Sequence, residues 1–202
     1  MKTLLILSAL LLSSLNLVAQ HHHGKDATLK AEKVSEHSLY HLDAEWVTHR
    51  NESISLSQFK GEPVVIVMFY GNCTQVCPIL IRDTWRLYSA LDKSMRTSVN
   101  VLAVSFDTEN DTPEVLKKYA EYEQLDIEGW HFVTTKDVDI RSLAMMLGVQ
   151  YVKKSDGEFA HSNLVTVLDP EGKVAVRVEG LNQPMASAAQ SIEEMIKSIS
   201  IQ

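Results

Sequence analysis

Two kinds of apolar pattern alternate along this chain. Val64-Val65-Ile66-Val67-Met68-Phe69 is an unbroken apolar run rich in β-branched residues, the pattern of a strand buried on both faces. From Ile79 to Tyr88 the larger apolar residues recur at three- and four-residue steps, which predicts an amphipathic helix. Val99 to Phe106 repeats the buried-strand pattern. Thr112, Pro113 and Glu114 then supply an N-cap, a proline at the first helical position and an acid in the first turn, with helix continuing through Val115, Leu116, Tyr119 and Ala120. His131 to Thr134 predicts a short strand. Asp137 caps a helix whose apolar face is Ile140, Leu143, Ala144 and Leu147, and Gly148 ends it.

Tyr151 to Phe159 reads as a hairpin closed by Ser155-Asp156-Gly157. Leu164 to Leu168, the turn Asp169-Pro170-Glu171-Gly172 and Lys173 to Val178 form an antiparallel pair. Met185 to Ile199 is an amphipathic helix carrying Ile192, Met195, Ile196 and Ile199. Ahead of the first buried strand, the short apolar pieces Ser38 to Leu42 and Glu45 to Val47, with the alternating Ile54 to Phe59, predict an N-terminal hairpin or edge strands. Strands and helices alternating in this order predict an α/β layered domain with a mixed sheet.

The first residues change the setting. Lys2, the apolar Leu4 to Leu12 and the small-residue exit Leu17-Val18-Ala19 make residues 1–19 a secretory leader, interrupted by Ser13, Ser14 and Asn16. An uncleaved anchor is the alternative, because the stretch from Thr3 to Ala19 approaches the lower limit for a membrane helix. Residues 20–36 form a polar tail with His21, His22 and His23, read as a mobile spacer. Cleavage after Ala19 would also make His22 the third residue, an arrangement suited to Cu(II). Residues 37–202 remain as one domain with a substantial core. The net charge of −7 argues against nucleic acid or anionic lipid as the main partner.

The chain has two cysteines, and they stand together in Phe69-Tyr70-Gly71-Asn72-Cys73-Thr74-Gln75-Val76-Cys77-Pro78, where the first buried strand gives way to the helix. Free N–H groups and the positive dipole end of a helix favour thiolate over thiol. With Cys77 in the first turn and Cys73 just ahead of it, the two sulfurs converge. Such a pair suits Cu(I), zinc or a reversible disulfide; two cysteines used as small core residues are the alternative. Export would place them in an oxidising compartment, where an exposed, unoccupied pair tends to become a disulfide. Met145 and Met146 read as core gap-fillers rather than thioether ligands. His37, His41 and His49 read as surface or hydrogen-bonded histidines.

Taken together, these residues resemble the Sco/SenC family, whose fold is thioredoxin-like. The resemblance runs from about Ser38 to Ile199 and rests on Cys73-x-x-x-Cys77-Pro78, on Val104-Ser105-Phe106-Asp107 leading to Asp111-Thr112-Pro113-Glu114-Val115-Leu116-Lys117-Lys118-Tyr119, and on His161-Ser162 before the Asp169-Pro170-Glu171-Gly172 turn. It implies a mixed sheet flanked by helices, with an N-terminal extension and a hairpin insertion before a histidine loop. It also implies that Cys73, Cys77 and His161 bind one copper ion, Cu(I) or Cu(II), at a site open enough for a partner's ligand to enter. One departure is Ala160, where an acid often precedes the family's histidine, leaving Asp107 as the candidate outer carboxylate.

The implied role is a copper chaperone that assembles copper centres in exported or membrane proteins, above all the dinuclear centre of cytochrome c oxidase. Its partners would then be a copper-site client such as an oxidase subunit, a copper donor and a thiol reductase, with the chain periplasmic or membrane-anchored. The competing role is a periplasmic thiol-disulfide oxidoreductase using Cys73 and Cys77 as a redox pair on the client's cysteines. Three residues between the cysteines, and histidine in place of the loop's usual cis-proline, argue against a dedicated reductase. Tyr70 stands where a peroxiredoxin has threonine, and a structural zinc site normally wants four protein ligands.

Overall fold

The computed structural model of the protein describes residues 37–201. The elements are β1 (Trp46–Thr48), β2 (Ser53–Ile54), β3 (Val64–Phe69), α1 (Cys77–Ala90), β4 (Asn100–Ser105), α2 (Pro113–Tyr122), β5 (Trp130–Thr134), α3 (Asp137–Leu147), β6 (Tyr151–Lys153), β7 (Phe159–His161), β8 (Leu164–Leu168), β9 (Val174–Glu179) and α4 (Ala186–Ile199). Seven strands form one sheet in the order β2-β1-β5-β4-β3-β8-β9, and β6 and β7 pair with each other outside it. The pairs β3–β4 and β4–β5 are parallel, whereas β1–β5, β3–β8 and β8–β9 are antiparallel. This is an α/β mixed sheet flanked by helices, a thioredoxin-like fold.

The unbroken apolar run becomes β3, with all six residues buried and a neighbour hydrogen-bonded on each side. α1 and α4 pack together, α1 against β3 and β8 and α4 against β9, while α2 covers β5 and β1. Trp46, Trp130, Phe69 and Phe132 are the largest fully buried side chains of the resulting core. Parallel β3 and β4 bring their C-terminal ends to one edge of the sheet, and antiparallel β8 starts at that same edge, with Val165 opposite Val67. Topology thus carries the segment just before β8 to the mouth of the cysteine loop.

Three local expectations change. Ile54 to Phe59 is not one alternating strand: β2 stops at Ile54, and Leu56–Phe59 is a 3-10 turn that buries Leu56 and Phe59. Residues three apart eclipse in a 3-10 turn, so one face takes both apolar side chains. Leu39–His41 is likewise a 3-10 turn; Ser38 caps it, and the Leu39 amide donates to the Gly172 carbonyl at 2.8 Å. Asp137 is the first residue of α3 and not its cap, while Gly148 ends the helix at φ 70° as expected. The β1–β2 hairpin forms as the N-terminal pieces suggested. The leader, residues 1–19, and the tail, residues 20–36, lie outside the described residues. Among the described residues no helix is long and apolar enough to cross a membrane.

Candidate metal centre

Phe69 ends β3, and the chain then turns through Tyr70 to Cys73, whose amide donates to the Tyr70 carbonyl at 3.3 Å. Cys77 is the first residue of α1, with Pro78 beside it in the first turn, where a missing N–H costs nothing. The Cys77 amide, one of the donors a helix start leaves without an intrahelical partner, donates to Cys73 Sγ at 3.3 Å. A donor at a helix N-terminus therefore points at the first sulfur. Asn72, Thr74 and Gln75 are exposed while both cysteines are buried, so the loop turns its polar residues to solvent and its cysteines inward.

His161 is the last residue of strand β7, not part of a loop, and its register partner in β6 is Tyr151. Its Nδ1 lies 3.0 Å from the Ser162 carbonyl, which can only accept, so Nδ1 carries a proton and Nε2 is the ring nitrogen turned toward the cysteines. That Nε2 lies 3.5 Å from Cys77 Sγ, across 84 positions of sequence. One donor atom from each of Cys73, Cys77 and His161 falls within 4.8 Å of the other two. The three side chains are 6%, 0% and 3% exposed, so water competes little for their lone pairs.

The SCO1/SenC family model matches residues 33–197. This chain belongs to the SCO1/SenC family. The SCO1 protein homolog of Bacillus subtilis is 30% identical over 133 residues, which cover 64% of this chain and 68% of the relative. Among solved structures, a SCO1/SenC family lipoprotein of Bacillus anthracis matches with a TM-score of 0.69 and 21% identity, over 75% of this chain and 92% of that one. Arabidopsis thaliana ScoI, solved with copper bound, matches with a TM-score of 0.65 and 17% identity, over 77% of this chain and 96% of that one.

In this SCO1/SenC protein the two sulfurs differ in character. Hydrogen bonding from Cys77, with a further bond from His161, pulls the Cys73 thiol far below its usual range despite the opposing effect of burial. Burial pushes the Cys77 thiol up, and the neighbouring Cys73 sulfur pushes it further. The two sulfurs are therefore unequal, Cys73 the more readily ionised and Cys77 the less. A soft cation held here would draw on both sulfurs and the imidazole nitrogen, displacing the protons those atoms carry. The chemistry of the donor set fits copper, Cu(I) above all.

Aromatic rings wall the centre. Phe106 lies 5.2 Å and Tyr70 6.5 Å, centroid to centroid, from the imidazole, and Phe106 stacks on Tyr151 at 14°. The Tyr70 hydroxyl donates to Glu158, joining the end of β3 to the β6–β7 hairpin.

Asp107 does not serve as the outer carboxylate. Both its oxygens accept from the Asn110 side-chain amide, at 3.0 and 2.8 Å, and the group that orients His161 is the Ser162 carbonyl. Asp111, quoted above only as part of a family pattern, is the carboxylate that reaches the cysteine loop: it accepts from the Gly71 amide at 2.7 Å and from the Ser105 hydroxyl. A sequence signal for it existed, an acid one position before a Thr-Pro helix start that follows a buried parallel strand.

Met145 is exposed on α3, and Met146 packs against the core. His37 and His41 are exposed. His49 is buried, accepts from the Phe132 amide at Nδ1 (3.2 Å) and donates from Nε2 to Asp126 (3.0 Å).

Proposed function

We propose that this SCO1/SenC protein binds one copper ion through Cys73, Cys77 and His161 and delivers it to a copper-site client, a cytochrome c oxidase subunit, by exchange of ligands. The observation that supports this reading most strongly is the convergence of two sulfurs and the imidazole nitrogen Nε2 in one buried cluster. Copper seen in the Arabidopsis relative's structure points the same way. Three protein donors leave a soft ion short of a closed four-ligand cage, so an incoming thiolate or imidazole has a place to bind before one of the original ligands leaves. Cys73, on the loop between exposed Asn72 and Thr74, is the ligand nearest such a partner in sequence and exposure. The leader pattern of residues 1–19 and the lipoprotein nature of the Bacillus anthracis relative support an exported, periplasmic setting.

The asymmetry of the dithiol favours a second activity at the same place, reduction of a disulfide in the client's copper site. Cys73 thiolate attacks one client sulfur and releases the other as a thiolate. Cys77 then gives up its proton and attacks Cys73, leaving a Cys73–Cys77 disulfide and a client with two reduced sulfurs. The electrons come from the dithiol, and an external thiol reductase must restore it.

Titration of the reduced protein with Cu(I), beside Cys73→Ser, Cys77→Ser and His161→Ala, tests the first reading. One tightly held equivalent in the parent and weakened binding in all three variants is the expected result. Affinity unchanged by His161→Ala would remove the third ligand. A disulfide-exchange rate independent of metal and equal to that of ordinary dithiol reductases would make the second activity the principal one.

A further inference from the structure

Asp111 is a buried acid, 2% exposed, that the copper-binding reading does not use. It sits where three elements meet. Its own amide donates to the Asp107 carbonyl at 2.9 Å, and the next residue, Thr112, caps α2. Its carboxylate accepts from the hydroxyl of Ser105, the last residue of β4, and from the amide of Gly71 in the turn that leads to Cys73. Ser105 Oγ in turn accepts from the Asp107 amide at 3.1 Å. One side chain thus ties the end of β4, the start of α2 and the entry to the cysteine loop.

Gly71 supplies an independent observation. Its φ is not among the positive values that L-residues avoid, so its backbone would admit a side chain. A Cβ built there would fall 2.8 Å from Asp111 Oδ1 and 3.3 Å from its carboxyl carbon. Both hydrogen bonds are accepted by Oδ2, so making room at Oδ1 means turning a buried carboxyl about the oxygen that is held. A side chain at position 71 would therefore press on the acid lying against it and disturb its seating.

We infer that Asp111 is a positioning residue for the metal centre: its carboxylate, seated against Gly71, sets where the turn places Cys73 Sγ relative to Cys77 and His161. The inference rests on the copper-binding reading. Displacing Gly71 shifts the turn whose closing bond runs from the Cys73 amide to the Tyr70 carbonyl, and with it the sulfur that accepts from the Cys77 amide. Asn at 111 keeps an acceptor oxygen for both bonds, whereas Ala keeps none.

The test is Cu(I) affinity by competition with a chromophoric chelator, with apo-protein melting as the control for folding. Asp111→Ala and Gly71→Ala should each weaken binding about 10–100-fold, the range for outer-shell partners of metal ligands. Asp111→Asn should stay within about threefold of the parent and keep the parent's Cu(II)–thiolate absorption band, which Asp111→Ala should shift. The double variant Gly71→Ala/Asp111→Ala should be no weaker than the worse single variant, because both changes break one contact. Equal loss in Asn and Ala, or multiplication of the two single effects, overturns the inference. Parent-like affinity in both Ala variants does the same. If Asp111→Ala does not fold, Ser105→Ala carries the test, expected to weaken binding by about three- to tenfold, and parent-like affinity there is the overturning result. Failure of the parent itself to bind Cu(I) would instead sink the proposed function.

Discussion

Cys73 and Cys77 hang from the best-buried part of the molecule, and His161 hangs from one of its least embedded parts. β3, which leads to the cysteines, has a hydrogen-bonded strand on each side and no exposed residue, and α1 starts at Cys77 itself. Among the described residues the β6–β7 hairpin that carries His161 pairs only with itself, and two of the three residues of β6 are exposed. It is held to the body by side chains: Tyr70 to Glu158, Lys153 to Glu109, and Phe106 stacked on Tyr151 and tilted against Phe159. Elements with few backbone bonds to the body open more readily than central strands. Two donors are therefore preset by the fold, and the third is delivered by an attachment that is weaker and easier to alter.

The largest effect tests this division directly. Cys77→Ser removes a preset sulfur from a fully buried position and replaces a soft donor with a hard one. Cu(I) affinity should fall by about a thousandfold or more, roughly 4 kcal/mol of binding free energy. His161→Ala should cost less, about 10–100-fold, because the dithiolate remains. Chelator competition on both variants gives the numbers, and equal losses would erase the distinction between the two regions.

The sequence showed the preset region far better than the attached one. β3 and α1 were readable because a β-branched run and a 3.6-residue periodicity are local signals, and the cysteines lie between them. His161 entered only through family resemblance. Its nearness to Cys77 is made by the antiparallel placement of β8 beside β3, a long-range pairing that no local pattern encodes. The same limit explains the two acids. Asp107 and Asp111 both follow β4, and only the tertiary position of Gly71 decides which carboxylate reaches the loop. Leu56 to Phe59 misled for a simpler reason, since apolar residues three apart suit a 3-10 turn and the sampled alternation suits a strand.

Acid should loosen the body of the sheet at β5. His131 lies in β5, where burial, with Arg50 and His49 nearby, lowers its pKa to about 4. Because the folded value lies below the unfolded one, the stability this histidine contributes is complete above about pH 6.5 and is lost as pH falls toward 4. The loss should reach roughly 2–3 kcal/mol at the low end of that window. Denaturant melts of the apo-protein from pH 7.5 to 4.5 would show it, and His131→Leu should flatten much of the slope. His49, whose pKa is also lowered by burial, leaves a residual slope of the same sign. A slope unchanged in His131→Leu would mean that the sheet's acid sensitivity lies elsewhere.

Tyr70→Phe cuts the attachment and leaves the ring stacking in place. The lost hydrogen bond to a carboxylate should cost about 1–2 kcal/mol, felt locally. Amides of β6 and β7 should exchange about tenfold faster while those of β3 and β4 keep their protection. Faster exchange throughout the sheet would show that the hairpin and the body open as one unit.

The smallest effect is expected at the rim. Lys153 Nζ lies 2.6 Å from Glu109 Oε2, a short ion pair linking the hairpin to the segment after β4. Its partners are 41% and 76% exposed, however, so water and salt screen the attraction, and holding two long side chains together offsets much of what remains. The Lys153 ammonium also stands 5.6 Å from the centre of the Phe159 ring, a contact that a glutamine would lose as well. Lys153→Gln should still leave Cu(I) affinity within about twofold of the parent, at low and at physiological salt. If instead affinity dropped tenfold and the drop vanished at high salt, a surface charge pair would be holding His161 in place. The aromatic stack behind the imidazole would then be filling space without anchoring the hairpin.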